Sequence, residues 1–129
     1  MKLFASLLAT FMFFTPLSVD EIALQDSRVI EVESVSYMGE WYVALITEPI
    51  YFRSEAHELC EDIAKNIKNY YATKAYVEID VGLYYAIKDA KNSPNKSEEL
   101  SNISKIFKSR CDNERNRYHQ SQETRICSL

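Results

Sequence analysis

A chain of 129 residues, 47% hydrophobic and 26% charged, has room for one packed domain and excludes a second, and its composition is neither disordered nor fibrous. A formal net charge of −4 excludes the concentrated basic face that nucleic acid requires, because Arg110, Arg115, Arg117 and Arg125 are interleaved with Asp112, Glu114 and Glu123. With Gly39 and Gly82 as the only glycines, a Gly-rich phosphate cradle, a dinucleotide fingerprint and a nucleophile elbow are all excluded, and no cofactor is implied.

Lys2 precedes an uncharged run from Leu3 to Val19, and Asp20 and Glu21 follow it. A basic start, a short apolar run and a polar exit are the layout of a signal peptide. The run is short of the roughly 20 apolar residues that span a bilayer, and Pro16 weakens its end as a helix. We therefore expect a signal peptide over residues 1–19, cut between residues 17 and 23, so that the mature chain starts between Ser18 and Leu24. The protein would then be secreted or periplasmic, without stable membrane association once cut. An uncleaved membrane tether is the alternative.

The remainder, residues 20–129, reads as a single α+β domain with a polar C-terminal tail. From Arg28 to Ser36, Ile30 and Val32 alternate with Glu31 and Glu33, the period of a half-buried strand. Trp41 to Thr47 is apolar on both sides, as in a central strand, and Pro49 ends it. The two lie close enough for an antiparallel hairpin, although the connection lacks an Asn-Gly turn. A helix is predicted from Ser54 to Tyr71, with Ser54 as its cap, acids early and lysines late. Ala75 to Ile87 alternates apolar and polar residues and is predicted as a third strand, which would lie parallel to the second if the helix is a crossover. Lys88 to Lys96 is a loop by its turn residues, and Ser97 caps a last helix with Leu100, Ile103, Ile106, Phe107 and Cys111 as its inner stripe. The expected fold is α+β in the order β-β-α-β-α, a sheet of about three strands with two helices packed on one face.

Export leads to an oxidising compartment, where cysteines pair. Cys60 and Cys111 both fall on inward helical stripes, so a Cys60–Cys111 bridge is the first choice and Cys111–Cys127 the second. A bridge closing about 50 residues would stabilise by roughly 4 kcal/mol.

No pattern of residues demands catalysis or a metal. His57 to Glu61 begins like a zinc-protease helix but has Glu61 where the second histidine belongs. A zinc set of His57, Cys60, Cys111 and His119, or an acid–base pair of His57 and His119, would need distant helices to converge. Glu78 and Asp80, on one face of the predicted strand and about 7 Å apart by strand geometry, could serve a small hydrolase; alternating acids on a wet strand face are the commoner meaning. Tyr76 and Tyr84 flank them, with Tyr42 or Tyr37 adjoining from the next strand, and tyrosine-rich faces poor in lysine suit protein recognition. Asn95-Lys96-Ser97 and Asn102-Ile103-Ser104 fit the N-glycosylation pattern. The reading is thus a small exported binding protein, of inhibitor, immunity or accessory type, whose partner is another protein met through Tyr42, Tyr76, Glu78, Asp80 and Tyr84.

Overall fold

The structure, a computed structural model, describes residues 16–117. The apolar run up to Thr15, His119, Cys127 and the C-terminal tail lie outside the described residues. The elements are α1 (Val19–Leu24), β1 (Val29–Tyr37), β2 (Glu40–Thr47), α2 (Arg53–Tyr71), β3 (Ala75–Ile79), α3 (Val81–Lys91) and α4 (Lys96–Arg117). The class is α+β, and the order is α-β-β-α-β-α-α.

β1 and β2 form the expected antiparallel hairpin, with Tyr37 opposite Glu40. Met38 and Gly39 make the turn with φ of 52° and 78°. Two consecutive positive φ values are what a two-residue hairpin of the favoured twist needs, and they explain why the link closes without Asn-Gly. Methionine gains nothing from that conformation. Met38→Asn is expected to stabilise the protein by about 0.5–1 kcal/mol in a denaturant titration, since asparagine tolerates left-handed backbone.

β2 pairs with β3 in parallel, Trp41 opposite Ala75 through Leu45 opposite Ile79, with α2 as the connection. The sheet order is β1-β2-β3. α2 begins one residue before Ser54, with Phe52 as an N-cap lacking a side-chain bond, and it ends at Ala72 in left-handed backbone.

The sheet is covered on both faces, which corrects the expectation of two helices on one. Side chains alternate across a strand. Trp41, of one parity, meets Tyr71 of α2 with ring centroids 6.1 Å apart, and Ser34, opposite Val43, bonds Asp20 of α1. On the other face Tyr42 stacks on Tyr76 at 5.2 Å and takes the edge of Phe107 of α4 at 5.4 Å, while Lys91 of α3 reaches Glu33 at 2.7 Å. So α1 and α2 lie on one side of the sheet and α3 and α4 on the other.

This layering overturns the Cys60–Cys111 bridge. Cys60 is a buried thiol on α2 and Cys111 is buried on α4, with the sheet between them. A disulfide needs Cα atoms within about 7 Å, and a helix packed on each face of a sheet cannot bring them so close.

Two more expectations are corrected. The polar lead-in contains α1, whose start carries a complete capping box: Glu21 N–H donates to Ser18 Oγ, and Ser18 N–H to Glu21 Oε1. The predicted third strand is a strand and a helix in succession. Asp80 accepts a bond from Leu83 N–H at 2.7 Å and caps α3, and Gly82 leaves room for that carboxylate, because a Cβ there would stand 3.1 Å from Asp80 Oδ1. Leu83, Tyr84, Ile87 and Ala90 then form a helical stripe against the sheet. The loop that follows shrinks to residues 92–95, and Ile106, assigned to the inner stripe of the last helix, is 41% exposed.

Candidate binding surface

The five residues expected on one wet strand face occupy three different settings. Tyr42 and Tyr76 stack beneath α4, Tyr42 fully buried and Tyr76 nearly so. Glu78 is 7% exposed on the same covered face. Asp80 caps α3 and pairs with Arg110 of α4, and Tyr84 is buried on α3. The structure brings Tyr42 and Tyr76 together and takes Asp80 and Tyr84 out of the strand.

The polar ends of this buried layer converge on Glu40. Its carboxylate accepts Tyr42 OH at 3.0 Å and lies 3.2 Å from Lys108 Nζ. Burial works against ionisation of Glu40, but Lys108 and Tyr42 outweigh it and hold its pKa low; burial and the Glu40 charge together raise that of Tyr42. This is a satisfied polar network at the partly exposed rim of the buried layer, and it ties α4 to β2.

Asp80 has the same balance. Burial raises its pKa, while the Leu83 N–H and Arg110 lower it further, and the net direction is down. A carboxylate with a depressed folded pKa contributes stability that is present above its unfolded value near 3.9 and is lost as pH falls through the folded value. Asp80→Ala is therefore expected to cost about 1–2 kcal/mol at neutral pH, the loss of a cap and a half-exposed ion pair. The deficit should shrink as pH falls below the ordinary carboxylate range and through the folded pKa, where the wild-type carboxylate takes up its own proton; a series of urea titrations from pH 7 downward would follow it.

Arg28 holds Asp26 in a two-pronged pair, Nε to Oδ1 at 3.0 Å and Nη2 to Oδ2 at 2.9 Å, and its other Nη lies 3.8 Å from Glu55 in the first turn of α2. The hydrogen bond from Arg28 is what lowers the Asp26 pKa. The fork is internal to the α1–β1 connection, and Glu48 N–H, donating to Arg28 C=O, joins that connection to the end of the sheet where β2 runs out.

From that end projects the 48–52 loop. Pro49 stops β2, and Tyr51 and Phe52 stand 87% and 70% exposed, the largest such pair on adjacent described residues. Adjacent exposed aromatics have the composition of interface anchors. The loop also occupies the carboxyl end of a parallel strand pair, the edge where open sheets bearing helices on both faces carry their sites. Sequence reasoning read Pro49 only as a strand breaker. The signal was present in two adjacent aromatics, Tyr51 and Phe52, outside any alternating pattern.

Elsewhere, two adjoining shallow grooves of about 280 and 290 Å³ run between α1 and α2, sharing Ile22, Gln25 and Asn66. Among the described residues no three His, Cys, Asp or Glu side chains gather as a metal site would need, and no helix is long and apolar enough to cross a membrane. His57 lies 3.7 Å from Glu61 on α2, across the sheet from Cys111. No family model, no curated protein and no solved structure matches the chain.

Proposed function

We propose that the protein is an exported binding module that holds a protein partner through the 48–52 loop, with Tyr51 and Phe52 as anchors. The observation that carries this reading is the exposure of both aromatic rings at the end of a rigid sheet. Leaving two large apolar side chains in water forgoes about 1.5–3 kcal/mol of burial each, which a partner's pocket would recover. The inhibitor, immunity or accessory role and the secreted or periplasmic location belong to the same proposal, and they rest on the apolar run behind Lys2.

The hydrolase reading fares less well against the geometry. Glu78 is buried under α4 and Asp80 is engaged by Leu83 N–H and Arg110, so the two do not face a common cleft.

The test is the intact mass, under native conditions, of the protein exported by its own leader, followed by affinity measurements on the partner found. Tyr51→Ala and Phe52→Ala are each expected to weaken the complex by at least about 30-fold, the scale of an interface anchor, while leaving the melting temperature unchanged. A complex that tolerates both substitutions would refute the loop as the contact.

A further inference from the structure

β1 is an edge of the sheet, and its hydrogen-bonding pattern follows from the hairpin. A two-residue turn makes Tyr37 and Glu40 a hydrogen-bonded pair, so residues 37, 35 and 33 direct their backbone groups at β2. Val32, Ser34 and Ser36 direct theirs outward, and no bond joins those outward groups to any described residue. Natural edges are blunted with charged side chains, above all lysine, with proline, with bulges or by short length. β1 is nine residues long and contains neither lysine nor proline; its two acids, Glu31 and Glu33, and a register irregularity between Val29 and Glu31 are confined to its first half.

We infer that β1 pairs antiparallel with β1 of a second copy of this chain about a two-fold axis at Ser34, joining two sheets into one of six strands. That register is self-complementary. Ser34 meets its own copy, Val32 meets Ser36, Glu33 meets Val35 and Glu31 meets Tyr37, so no acid opposes an acid. Shifting the axis to Glu33 would set its two copies face to face, a like-charge pair that destabilises. The same register carries Ile30 of each copy towards Met38 of the other. Among the described residues these are two of the most exposed apolar side chains, at 54% and 81%, and the pairing covers both of them twice. Asp20 and Lys91 already satisfy Ser34 Oγ and Glu33 from the two faces, so pairing at the edge disturbs neither.

Because Ile30 and Met38 are exposed in the single chain, charges placed there test the pairing without touching the core. Sedimentation equilibrium of the intact exported protein is expected to give twice the chain mass. Ile30→Asp with Met38→Asp sets acids opposite each other and should weaken self-association at least about tenfold. Ile30→Lys with Met38→Asp sets opposite charges across the same contact and should restore it to within a few-fold. In the wild type, the amides of Val32, Ser34 and Ser36 should exchange slowly at high protein concentration and rapidly on dilution. A monomer at millimolar concentration overturns the inference. So does a dimer indifferent to both charge pairs, and so do edge amides protected only by a different polypeptide, which would assign β1 to that partner.

Discussion

A chain shortened to begin at Leu24 should lose its cooperative thermal transition, while one that begins at Leu17 should melt like the longer protein. α1 is only six residues, yet Val19, Ile22 and Ala23 are buried in the same core as Leu59 and Ile63 of α2. Burial of Val19 and Ile22 contributes about 1.5–3 kcal/mol each, and with Ala23 and the capping bonds the helix supplies on the order of 4–6 kcal/mol. Small domains have about 5–15 kcal/mol in all. The entry to α1 is fastened as well: Tyr70 OH accepts a bond from Leu17 N–H at 2.8 Å, Tyr71 OH donates to Leu17 C=O, and Asp20 bonds Ser34. If the leader is cut between residues 17 and 23, these contacts favour the start of that window. N-terminal sequencing of exported protein is expected to give a first residue at or before Ser18; a start at Leu24 with an intact melt would contradict the assignment of α1 to the core.

Phe107→Ala is the second large effect expected, at about 3–5 kcal/mol, the usual cost of emptying a buried phenylalanine site. Phe107 is fully buried and sets its ring edge-on to Tyr42 in the middle strand. At about 4–8 °C per kcal/mol for a domain of this size, the melting temperature should fall by roughly 12–40 °C. Ile106→Ala, on the adjacent residue but 41% exposed, should change stability by no more than about 0.5 kcal/mol. Equal effects at the two positions would mean that α4 does not present Phe107 to the sheet, and the second helical layer would fall with it.

Those two experiments probe the helices at opposite ends of what could be read in advance. α4 announced itself through Leu100, Ile103, Phe107 and Cys111 at helical spacing, and the errors there were Ile106, which is exposed, and the cap at Ser97, which lies inside a helix that begins at Lys96. α1 did not, because Val19 to Leu24 offers too few residues to display a period and adjoins an apolar run of a different kind. The segment from Ala75 to Ile87 was misread for a sharper reason. Ile79, Val81, Leu83 and Tyr85 satisfy a period of two, while Leu83, Tyr84, Ile87 and Ala90 satisfy 3.6. Both patterns share the same letters, and the hydrogen bond from Leu83 N–H to Asp80 decides between them.

The candidate site depended on that choice. Once Asp80 becomes a cap, Tyr84 joins a helix, the tyrosine and carboxylate face becomes an interior layer, and exposure passes to Tyr51 and Phe52. Sequence alone determined the α+β class, the β1–β2 hairpin, the long α2 and the α4 stripe, because each rests on a local period or breaker that a few neighbouring side chains impose. Tertiary structure alone decided that helices cover both faces of the sheet, that Cys60 and Cys111 stand on opposite sides of it, and which aromatics meet water. Those depend on which way a connection turns off the sheet, and a chain with one alternating pattern per strand does not encode which face each helix will take.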